Sequence, residues 1–152
     1  METIITVSIG LGLAVSLFFS EFFGIAAGGM VVPGYIALYL NKPVVILCTI
    51  SVGLVTYFIV NSLGSFVIIY GKRRTVLMIL IGFLLGWLVR SLVFIPVGPD
   101  VIDLSVVGYI IPGLIAIWMD RQGILETVTA LVTSSAIVRL VLILVFGKEL
   151  SL

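Results

Sequence analysis

The chain has no histidine, a single cysteine and few charges, only eight basic and seven acidic residues in 152. Without histidine there is no imidazole acid–base pair, no Ser/Cys–His triad and no histidine metal site. With Cys48 alone, no disulfide, Cys-x-x-Cys pair or thiolate zinc site can form within one chain. Cys48 is read as a small buried apolar residue. Acidic residues are too few and scattered for a metal cluster. Gly10-Leu11-Gly12 lies in an apolar run with no Gly-Lys-Ser/Thr after it, so it is no phosphate loop. The net charge of +1 comes with no basic tail or acidic block, and nucleic acid is not an expected partner.

What the chain has instead is apolar surface. Hydrophobic residues make up 62% and charged residues 10%, against about 25% charged in an average soluble domain. Mean hydropathy is +1.42. A domain of 16.4 kDa leaves roughly a third of its chain's surface in water, which is incompatible with so much apolar area. The composition excludes a soluble enzyme and a disordered chain. It implies one all-α integral membrane domain over residues 1–152.

The charged positions divide the chain into apolar runs. A membrane helix needs about 20 apolar residues, and up to six segments meet this, near 3–20, 25–41, 43–70, 75–95, 104–119 and 124–146. The runs lack the apolar/polar alternation of a membrane barrel. The start, Met1-Glu2-Thr3, has no basic flank and no small-x-small site follows, so the first run is expected to stay as a membrane segment rather than be cleaved.

The second and fifth segments each carry Pro-Gly inside an apolar run, Pro33-Gly34 and Pro112-Gly113. Proline removes a helical hydrogen bond and glycine admits unusual dihedrals, so these are expected helix breaks. The two align at an offset of 79, which is 112 minus 33. Gly29 then meets Gly108, Ile36 meets Ile115, Ala37 meets Ala116, Glu21 meets Asp100, Asn41 meets Asp120 and Lys42 meets Arg121. The chain reads as a three-segment unit present twice, about 3–71 and 75–148.

Two topologies follow. If every segment spans, the second unit is inverted and an interrupted-helix site near the midplane is expected. If the Pro-Gly segments are re-entrant, each unit spans twice and the units are parallel. Counting basic residues places Lys72-Arg73-Arg74 on the cytoplasmic side in both. Arg121 joins that cluster with six crossings and opposes it with four.

Arg90 and Arg139 interrupt apolar segments. At a bilayer centre each would cost at least about 2.5–3.5 kcal/mol, so each either faces an interior or snorkels to the headgroups. Glu21 and Asp100 read as interfacial caps or as ligands. Asp103 and Glu126 read as solvated loop charges. The Lys72-Arg73-Arg74 run is a topology signal, an anionic-lipid contact or a docking site for a cytoplasmic partner. No independent active site emerges. The chain could conduct, carry a substrate as a small-anion transporter or channel, or anchor a catalytic partner.

The strings GGMVVPGYIALYLNKPV, IIYGKRR and GYIIPGLIAIWMDRQGILETV, in that order, resemble the membrane C subunit of bacterial poly-γ-glutamate synthesis, also called capsule biosynthesis protein C. The likeness runs from about Glu21 to Phe146. Phe22-Phe23 depart from the family's basic residue then Thr, which weakens a paired role for Glu21. The resemblance implies a multi-pass protein of the bacterial plasma membrane that has no catalytic group of its own. It implies two partners, a Mur-ligase-like B subunit that uses ATP and Mg and an outward-facing A subunit; no cofactor is expected on this chain. A chain this small could line a polymer path only as a homo-oligomer or with partners. Lys42, Arg90, Arg121 and Arg139, with Glu21 and Asp100, are the candidate path residues. Lys72, Arg73 and Arg74 are the candidate docking face.

Overall fold

A computed structural model describes residues 2–92 and 110–147. Within them the chain forms α1 (Glu2–Phe23), α2 (Val32–Leu38), α3 (Pro43–Phe66), α4 (Lys72–Leu92), α5 (Ile111–Gln122) and α6 (Ile124–Phe146). No strand occurs among the described residues. Four helices, α1, α3, α4 and α6, are long and apolar enough to cross a membrane. The fold is all-α, of the membrane type.

The distribution of side chains is that of a bundle in lipid. Exposed positions are large and apolar, such as Phe22, Leu47, Phe66, Leu80, Leu140 and Leu144. Buried positions of α1 are Ser8, Gly12 and Ser16, and those of α6 include Thr127, Ala130, Ser134 and Ser135. Lipid tails are as apolar as leucine, so helices there associate through small residues that allow close approach and through hydrogen bonds. The buried hydroxyls are satisfied. Those of Thr49, Thr56 and Ser135 donate to the carbonyl one turn back at 2.7 Å.

Two of the expected segments differ in form. Residues 25–41 were expected as a membrane helix with a break at Pro33-Gly34, but only Val32–Leu38 is helical. Gly24, Gly28 and Gly29 take positive φ, which keeps the preceding stretch non-helical. The helix then begins at the proline, whose missing N–H lies where an α-helix has no internal partner anyway. Pro112 stands likewise at the start of α5, which runs to Gln122 rather than ending at 119. The proline–glycine pairs therefore start short helices rather than interrupt long ones. A seven-residue helix rises only about 10 Å, far less than the hydrocarbon thickness.

Close contacts at these starts recur. A Cβ on Gly12 would lie 2.6 Å from the backbone of Gly34, and one on Gly82 would lie 2.6 Å from that of Gly113. In the first case α2 sits on Ser8 and Ile9 of α1; in the second α5 sits on Met78 and Ile79 of α4. The short helices correspond at an offset of 79, but the long ones correspond at 70, which is 82 minus 12. In this register Glu21 falls opposite Ser91 rather than Asp100, so the sequence alignment of those two acids does not carry over to the helix contacts.

α2 packs on α1 and α6, whereas α5 packs on α4, α3 and α6. One apolar cluster joins Val32 and Ile36 of α2, Ile111, Ile115 and Met119 of α5, and Leu131 of α6. The chain also has two distinct ends. Antiparallel contacts lay residues 24–38 back along α1, with Gly29 beside Ser16 and Gly34 beside Ser8. Ala26, Asn61, Arg74, Asp120 and Gln122 gather at one end, and Asn41 and Arg139 at the other.

Candidate functional site: two polar ends of the bundle

At the first end, α4 begins with Lys72 and α5 finishes with Asp120, Arg121 and Gln122. Arg74 grips Asp120 with two donors, Nε to Oδ2 at 2.8 Å and Nη2 to Oδ1 at 2.5 Å. The same guanidinium donates to Asn61 Oδ1 of α3 at 3.3 Å. Such a bidentate pair fixes both position and orientation. Both side chains are about a quarter exposed. Arg121 is exposed and lies over the Trp118 ring, 5.5 Å from its centroid.

Gln122 ties this end to the non-helical stretch after α1. The Ala26 N–H donates to Gln122 Oε1 at 2.9 Å, and Gln122 Nε2 donates back to the Ala26 carbonyl at 2.5 Å. The amide thus satisfies both backbone groups of a residue that has left the helix, as burial requires. Nε2 also donates to Thr127 Oγ1 at 3.1 Å. Between Gln122 and Ile124, Gly123 has φ 106°, a corner at which a Cβ would meet the Glu126 carboxylate.

At the second end, Arg139 of α6 donates to the Ala37 carbonyl at 3.4 Å and to Asn41 Oδ1 at 2.9 Å. Lys42 is exposed in the turn beside Asn41. Arg139 thus reaches the end of α2 from a different part of the chain.

The structure therefore divides the sequence-derived cations. Arg121 stands with the Lys72-Arg73-Arg74 run, and Arg139 stands with Lys42 at the opposite end. Arg90 is exposed near the far end of α4. Glu21 is exposed near the end of α1. Pro33, Gly34, Pro112 and Gly113 are buried, their helix starts pressed on α1 and α4. Asp100, Asp103 and Lys148 lie outside the described residues. Among the described residues no three acidic, cysteine or histidine side chains group as metal ligands.

Asn61, Gln122 and Ser8 were not singled out from sequence. Their signal was present: each is a polar residue in or at the edge of an apolar run, and such residues need partners in lipid. The partners themselves lie 13 to 96 positions away along the chain and leave no trace in periodicity.

Comparison with known proteins agrees over most of the chain. Residues 11–128 match the family described as capsule biosynthesis CapC. The PGA biosynthesis protein CapC of Bacillus subtilis (strain 168) is 40% identical over 119 residues, which cover 77% of this chain and 78% of that protein. The capsule biosynthesis protein CapC of Bacillus anthracis is 37% identical over 133 residues, covering 86% and 88%. No solved structure matches. An all-α chain of membrane type, matched from α1 into α6, thus belongs to the capsule biosynthesis CapC family.

Proposed function

We propose that this chain is the integral-membrane subunit of a poly-γ-glutamate synthase and export complex of the bacterial plasma membrane. It carries no catalytic step itself, supports an ATP-dependent, Mur-ligase-like subunit and helps lead the anionic polymer into the membrane. The observation that carries the reading is the similarity to two proteins named for PGA and capsule biosynthesis, over 77% and 86% of the chain. ATP and Mg belong to the ligase partner. An outward-facing subunit completes the assembly.

In this reading all six segments cross, as two units near 3–71 and 75–148. The end bearing Lys72, Arg73, Arg74 and Arg121 faces the cytoplasm, because basic residues are retained there. The ligase docks on that face. Lys42 and Arg139 then meet the polymer's carboxylates at the outward end, with Arg90 near the same level. The pairing of Arg74 with Asp120 supports six crossings, since four would set Arg121 and Lys72 on opposite sides.

The test measures ATP-dependent γ-glutamyl polymer formation by membranes carrying the cognate ligase, with and without this chain, followed by solubilisation and copurification. Both polymer and copurification should depend on the chain. Full polymerisation by a ligase that never binds it would overturn the reading.

A further inference from the structure

The cytoplasmic-end cations do more than mark topology. Between the start of α4 and the end of α5 lies a cavity of about 380 Å³, lined by Gly71, Lys72, Thr75, Met78, Ile117 and Arg121, with the Arg74–Asp120 pair in its wall. Its rim is cationic and its floor, Met78 and Ile117, is buried and apolar. Asp120 is already engaged by Arg74. Neither Lys72 nor Arg121 has a carboxylate within ion-pair distance among the described residues. Two cations therefore face one pocket with no carboxylate paired to either among the described residues.

We propose that this cavity holds the phosphate of an anionic phospholipid headgroup, gripped by Lys72 and Arg121. Its depth favours a lipid. The pocket opens at the first turn of α4, whose apolar span begins at Lys72, so it lies at headgroup level. A soluble polyanion has no use for the apolar floor of Met78 and Ile117. The Trp118 face holds the Arg121 guanidinium in place, and stacked arginine suits a phosphodiester. The proposal does not depend on polymer synthesis and can fail or stand separately from it.

The experiment uses the full chain in nanodiscs of dioleoylphosphatidylglycerol or dioleoylphosphatidylcholine. Native mass spectrometry after detergent release reads how much lipid stays bound, and thermal unfolding reads the stabilisation. Wild type should retain phosphatidylglycerol selectively and unfold at a higher temperature with it. Lys72→Gln and Arg121→Gln should each lower retention about fivefold, the effect of one basic residue at a lipid surface. Arg73→Gln, next to the pocket but not lining it, should retain the lipid as wild type does. Equal retention of both lipids would overturn the proposal. So would an Arg73→Gln loss as large as that of Lys72→Gln, which would mean diffuse attraction without a pocket. Displacement of the bound lipid by soluble poly-γ-glutamate would reassign the pocket to the polymer.

Discussion

At the scale of single residues, the two arginine clamps differ in what they hold. Arg74 holds a carboxylate through two donors and is partly exposed. A well-formed pair of this kind contributes about 1 kcal/mol, discounted for its exposure. Asp120→Asn should therefore lower the unfolding temperature of the purified protein by only a few degrees, and a double-mutant cycle with Arg74→Gln should show coupling of that order. Absence of coupling would mean that the contact does not persist in the membrane. Arg139 holds a carbonyl and an amide oxygen, neither of them charged. Arg139→Gln, which keeps hydrogen-bonding capacity, should reduce polymer export more than copurification with the ligase. Equal loss of both would leave the residue a structural role alone.

At the scale of elements, the short helices depend on two glycine contacts. Gly12 and Gly82 let α2 and α5 approach the long helices backbone to backbone. Overpacking a tight contact costs about 1–3 kcal/mol, and here the obstacle is backbone rather than a flexible side-chain tip. Gly12→Val and Gly82→Val should each cut the folded yield sharply, read by size-exclusion profile in detergent. Gly10→Ala, which meets nothing within 4 Å, should leave the profile unchanged. If all three behave alike, the contacts do not hold the helices together.

The proline–glycine pairs announced these elements in the sequence because proline constrains its own backbone and leaves a local mark. The glycines on the long helices left none, since a lone glycine in an apolar run is common in membrane helices. Helix existence was legible from run length, but the form of residues 24–38 was not. Its non-helical half depends on Gln122, 96 residues from Ala26, and no local pattern reports such a partner. The cations were legible as cations, and the charge count offered Arg121 beside Lys72-Arg73-Arg74 as one of two arrangements; the place of Arg139 beside Asn41 was not legible, because it follows from the packing of α6 against α2.

For the whole molecule, the direction of each segment is the testable quantity. With Cys48→Ala as background, single cysteines at Lys42, Lys72 and Arg121 can be labelled from either side of sealed vesicles by a membrane-impermeant maleimide. Six crossings require that Lys72→Cys and Arg121→Cys label from the cytoplasmic side and Lys42→Cys from the other. Four crossings would put Lys42→Cys and Arg121→Cys together, and the inverted arrangement would have to be abandoned.

The packing of α6 also has a consequence for assembly. α1 runs toward the end that holds Gln122, and α4 runs away from it. α6 walls both short helices, and α3 walls α5. The short helix α2 thus takes its second wall from the last helix to be synthesised, so its burial has to wait until the chain is nearly complete.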